Sequence, residues 1–186
     1  MPFPGMRSLA AIAVLVSAVL IAAPTATPGP SAKVERRISL EAAVVRELND
    51  VRASRGLQPL RSSPSLRTAA RGHSRSMLAY GFFAHDSVDG TTFSDRIRRY
   101  YTNRGWRTWS VGEALLASMG TPVDAKAIVN AWLESPPHRE IILSPTFRDA
   151  GIGALFAPSA PHEFGGAETV VVTADFGLRE GRISPS

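Results

Sequence analysis

Apolar residues recur at helical spacing through the first two thirds of the chain and crowd into short β-branched runs near its end. Leu40, Val44, Leu48 and Val51 follow one another every three or four residues, with Ser39 ahead as a cap and Gly56 behind as a stop, which predicts a helix over 40–55. A second helix opens at Ser63, takes Pro64 into its first turn, lines up Leu66, Ala69, Ala70, His73 and Met77, and stops at Gly81. Phe93, Ile97 and Tyr101 predict a short third helix. Thr121, Pro122 and Asp124 offer a cap, a first-turn proline and an acidic first turn to a fourth, built on Ile128, Val129 and Trp132 and ended by Pro136 and Pro137. A further helical turn lies near Ile141. Residues 151–156 and 169–176 read as strands, joined by a loop containing Gly165 and Gly166. Helices first and paired strands last predict an α+β fold.

The amino terminus has a different pattern. Arg7 closes a short positive start, and 8–23 is an unbroken run of apolar and small residues, shorter than the roughly 20 residues that span a bilayer. It is expected to be a signal peptide or an N-terminal anchor, giving a secreted or cell-surface protein that touches a membrane through this segment. Residues 24–36 form a linker rich in proline and alanine, 37–180 the single folded domain, and 181–186 a tail.

Composition narrows the chemistry. The chain has no cysteine, which excludes disulfides, thiolate metal sites, a cysteine nucleophile and a lipidated cysteine. Its net charge of +5 is carried by arginine, since only Lys33 and Lys126 are lysine, and favours anionic neighbours such as wall polymers. The arginines are scattered, and nucleic acid is not the expected partner. No nucleotide loop, His-Glu-x-x-His helix, EF-hand loop or GxSxG elbow is present.

What remains is His85 in FFAHDS, Glu113 in SVGEAL and His138 in WLESPPHRE. The segments FFAHDSVDGTTFSDRI, SVGEALLA, AIVNAWLESPPHREIILSPTFRDAGIGALF and VVVTADFGL resemble, in that order, the successive blocks of bacterial, cysteine-free CAP (cysteine-rich secretory protein, antigen 5 and pathogenesis-related) domains, over roughly Leu40 to Leu178. The resemblance implies a three-layer α/β/α sandwich around a central antiparallel sheet. It also implies a cleft holding a tetrad of two histidines and two acidic groups. His85, Glu113 and His138 fall on three tetrad positions, and Ser135 stands on the fourth with Glu134 one place earlier; Ala114 replaces the usual asparagine. Two imidazoles and a carboxylate suit zinc or another divalent cation, with a water in the open position.

Three functions stay open on these residues. One is an extracellular binding protein whose cleft takes a divalent metal or a small or lipid ligand. The others are a metal-assisted peptidase or nuclease at the same cleft, and a wall-associated interaction protein working through its basic surface. His85 and His138 could equally be structural, each bonded to Glu113 or to a backbone carbonyl. His73 belongs to the core by its register, and His162 to a solvated loop. Trp106 and Trp109 flank a turn, and Trp132 packs. Arg67, Arg71 and Arg75 form a solvated stripe, Asp86, Asp89 and Gly90 a turn, and Arg139 pairs with Asp149. The protein is expected to be a monomer.

Overall fold

The computed structural model describes residues 33–183. The apolar run expected to be a signal peptide or anchor, the linker up to Ala32 and the end of the tail at 184–186 lie outside the described residues.

The chain enters through β1 (Glu35–Arg36) and turns at once into α1 (Ile38–Ala53), because the Arg37 N–H is already bonded to the Ala154 carbonyl, at 2.8 Å. Ser39 therefore sits inside the first turn, and Arg37 occupies the cap position. β2 (Arg61–Ser62) leads to α2 (Pro64–Tyr80), where Ser63 caps the Leu66 N–H and Gly81 closes the helix at φ 64, a conformation that costs glycine little. The short α3 (Phe93–Arg98) ends before Tyr101, which is buried just beyond it. A 14-residue strand, β3 (Trp106–Met119), follows, so Trp106 and Trp109 lie along a strand and do not flank a turn. α4 (Ala125–Glu134) is capped by Asp124. Pro136 and Pro137 stop it and at the same time start α5 (Pro136–Leu143), since proline fits a first helical turn. β4 (Asp149–Ala157) and β5 (Thr169–Arg182) complete the chain.

The sheet runs β1-β4-β5-β3 with antiparallel neighbours, and β2 adds a two-residue parallel pairing on β4. The register of β3 with β5 sets Glu113 opposite Asp175 and Leu115 opposite Thr173. Successive strand side chains point to opposite faces. One face buries Ala114, Ala150, Ile152, Ala154, Val172, Ala174 and Phe176 against Val44 and Leu48 of α1, Ile128, Val129 and Trp132 of α4 and Ile142 of α5. The other packs Leu115, Leu155 and Val171 against Met77 and Leu78 of α2, and α3 closes its far end. The result is a three-layer α/β/α sandwich with a central, mainly antiparallel sheet.

Two devices hold the layers close. Gly151 and Gly153 let α2 lie on the sheet, for a Cβ added there would come within 2.0 Å of the Arg67 nitrogen or 2.4 Å of the Arg71 nitrogen. Arg52, fully buried at the end of α1, donates to the carbonyls of Gln58, Ile142, Ser144 and Phe147, tying α1 to the segment that leaves α5.

Candidate functional site

The site forms at β3, the edge strand of the sheet, where parts of both helical layers reach round. Glu113 points into the α2/α3 layer, with only 1% of its side chain exposed. His85 lies in the segment between α2 and α3 and places Nδ1 at 2.8 Å from Glu113 Oε1. The other carboxylate oxygen accepts from the Arg96 guanidinium, which comes from α3 and also donates to the His85 carbonyl at 2.8 Å. Arg96 thus fixes both the acid and the backbone of the histidine it orients. His138 enters from α5 on the other side of the strand, its ring 6.4 Å from that of His85 at an interplanar angle of 60°. Phe93 lies against His85 at a similar ring distance, 6.2 Å. His85 remains half exposed, while the carboxylate it touches is buried beneath it.

Electrostatics follow from these contacts. The hydrogen bond from His85 to Glu113, reinforced by that carboxylate's charge, raises the His85 pKa above the usual imidazole value and outweighs the cost of partial burial. His138 is lowered by burial and by the neighbouring His85. Beneath them Asp175, fully buried and opposite Glu113, has its pKa raised well above the ordinary carboxylate value by desolvation and then by Glu113. His73 donates from Nε2 to the Ala84 carbonyl at 2.9 Å and is lowered by burial, consistent with a neutral ring inside the core. Among the described residues, His73 Nδ1, Arg96 Nε and both Asp175 oxygens have no protein partner.

His85 thus touches Glu113 and lies beside the His138 ring, and Ser135 caps the helix that carries His138 without a side-chain bond. Each Glu113 oxygen already accepts one hydrogen bond, Oε1 with His85 and Oε2 from Arg96. Among the described residues, no three His, Asp or Glu side chains gather in a metal-holding group. Two participants were not read as part of the site from sequence, Arg96 and Asp175. Asp175 carried a signal: a lone carboxyl inside the β-branched run VVVTADFGL is costly to bury unless it is protonated or paired.

Other expectations need correction. Asp149 is bonded to Arg61 at 2.9 Å and to the Tyr101 hydroxyl at 2.7 Å, while Arg139 turns to the Leu133 carbonyl. Arg71 is not solvated but paired with the buried Glu41, and Arg67 is half-buried; only Arg75 of that stripe is exposed. Trp106 and Trp109 lie under the guanidinium groups of Arg182 and Arg98, at 4.9 Å each.

The cysteine-rich secretory protein family, CAP, matches residues 45–176. The chain belongs to the CAP family. It is 31% identical over 113 residues to YkwD of Bacillus subtilis, an uncharacterised protein, in a match that covers 61% of this chain and 41% of that one. The chain thus spans less than half the length of this curated relative. In three dimensions it resembles an outer surface protein of Borrelia burgdorferi (TM-score 0.63, 21% identity, 80% of this chain and 99% of that one). It also resembles an extracellular protein of Bacillus anthracis containing an SCP domain (TM-score 0.58, 24% identity, 75% and 40%). These likenesses establish the CAP fold. Among the described residues, no helix is long and apolar enough to cross a membrane.

Proposed function

We propose that this CAP-domain protein works outside the cell as a binding module, and that the groove at the β3 edge takes a small polar or anionic ligand through His85 and His138. The observation that carries the reading is the locked geometry of His85. Its Nδ1 is tied to Glu113, which is itself tied to Arg96, so Nε2 is the ring nitrogen left for a ligand. Charge supports an anion. Arg96 balances Glu113, and the raised His85 adds positive charge when it takes up a proton. The apolar run at the amino terminus and the extracellular relatives support action outside the cell.

A divalent cation such as zinc is the second reading. It would rest on the two imidazoles, and Glu113 would have to give up Arg96 or His85 before joining them. Calorimetry on the full chain with inorganic phosphate, acetate and zinc separates the two. Anion binding that saturates and weakens about fivefold or more in both His85→Ala and His138→Ala is expected. If neither imidazole matters for any probe, the groove is not the ligand site; if only zinc depends on them, the metal reading replaces the anion one.

A further inference from the structure

The opposite edge of the sheet carries a second opening. β1 and β2 both pair with β4 there, but at its two ends: the Arg37 N–H bonds the Ala154 carbonyl, and the Ser63 N–H bonds the Ala150 carbonyl, each at 2.8 Å. The Ala154 N–H, on the same edge, donates to Glu41. Alternation along a strand places the N–H and C=O of Ile152 on this edge as well, midway between the two pairings. Among the described residues, no protein group is bonded to either.

This break in the edge opens into a cavity of about 250 Å³ between the two helical layers. One wall is the α1 stripe Ile38, Ala42 and Val45, on the same side of the sheet as the Ile152 side chain. The other is α2, presenting Arg67 and Arg71 one turn apart. Glu41 and Arg71 bridge the layers through two hydrogen bonds, one of 2.8 Å, with Glu41 only 5% exposed. Arg71 is thereby neutralised. Arg67, half-buried beside Gly151 at the Ala150 end, has no acidic partner among the described residues, and it leaves the cavity with one uncompensated positive charge.

We propose that this cavity binds a short extended peptide ending in a free carboxylate, which adds one residue to the broken edge of β4. The step is strand addition at the length of a single pair. In an antiparallel ladder, a residue directly opposite another exchanges both N–H···O=C bonds with it, so one peptide residue facing Ile152 completes both groups. Its side chain falls on the Ile152 side, against Ile38, Ala42 and Val45, and should be apolar. The next residue ends near Arg67, where a terminal carboxylate meets the unpaired guanidinium. The free edge between Ala150 and Ala154 measures about 13 Å at roughly 3.3 Å per residue, enough for an acetylated dipeptide and short for a longer strand. This site is separate from the imidazole groove and does not depend on the function proposed for it.

The test uses N-acetyl-valyl-alanine as probe and the full chain, isotopically labelled, followed by amide NMR. Saturable binding in the millimolar range is expected, with the Ile152 amide among the resonances that move most. The C-terminal amide of the probe should bind about tenfold more weakly, as should a probe methylated on the valine nitrogen, which cannot donate to the Ile152 carbonyl. Arg67→Gln, a change at a half-buried residue with no bonded partner, should remove the preference for acid over amide. Arg75→Gln, at an exposed arginine of the same helix that does not line the cavity, should leave the Ile152 response unchanged. The proposal is overturned if binding does not saturate, if the N-methylated probe binds as well as its parent, or if Arg67→Gln keeps the carboxylate preference.

Discussion

The two faces of the sheet are built by opposite rules. Toward α1, α4 and α5 the strands present alanine, valine, isoleucine and phenylalanine, and among the described residues polar contacts from these helices to the sheet reach only the strand backbone, as in the Trp132 Nε1–H bond to the Leu115 carbonyl at 2.9 Å and the Ala154 N–H bond to Glu41. Toward α2 and α3 the same strands bury Glu113, Thr173 and Asp175, met by His73, Ser74 and Arg96. Ser74 is satisfied through Thr173 and the Gly153 carbonyl, and Glu113 through Arg96 and His85. The apolar face is where burial of hydrocarbon supplies stability. The polar face gives some of that up to hold a carboxylate and two histidines in place, and the candidate ligand site lies on its rim.

Three substitutions would sharpen this contrast. The largest effect belongs to the apolar face: Trp132→Ala removes the largest fully buried side chain and orphans the Leu115 carbonyl, for an expected loss of about 3–5 kcal/mol. Urea unfolding should show that loss unchanged between pH 5 and 8, since no titrating group is involved. On the polar face, Glu113→Ala leaves the buried Arg96 without its carboxylate and should cost about 3 kcal/mol. It should also return the His85 titration, followed by NMR, toward the ordinary imidazole value. A normal-looking His85 in the wild type would contradict the geometry.

The smallest effect at acid pH, and the one with the opposite sign, is Asp175→Asn. Burial and Glu113 raise the Asp175 pKa in the folded protein, whereas the unfolded chain releases this proton near the ordinary value of 3.8. The wild type therefore loses stability as pH rises above that value, by up to about 1.4 kcal/mol per pH unit, until the folded pKa is reached. Asparagine has the shape of the protonated acid and does not titrate. The variant should match the wild type near pH 4 and exceed it increasingly toward pH 7 in urea unfolding. Equal stabilities across that range would mean that the buried carboxyl is ionised and compensated.

Legibility from sequence followed the same divide. α2 was readable to its caps, because Ser63, Pro64 and Gly81 act within a few residues of the turns they set. β3 was not. Its inward residues Trp109, Val111, Glu113 and Leu115 do alternate, but Arg107 and a carboxylate interrupt the apolar signal, and its ladder partner among the described residues, β5, pairs with it only at separations of 50 residues or more. The tetrad residues were reached through family resemblance and not through spacing. Arg96 stayed hidden because it falls in a helix too short to show a clear buried face.

Local sequence by itself determined the principal helices, two of the long strands, the absence of thiol chemistry and the apolar run at the amino terminus, all of which depend on neighbouring residues or on composition. Tertiary structure decided which polar groups meet. The Glu113, Asp175, Arg96 and His85 cluster and the unpaired edge at Ile152 exist because antiparallel register and helix packing bring distant segments together. A buried charge is tolerable only when the rest of the fold supplies its partner.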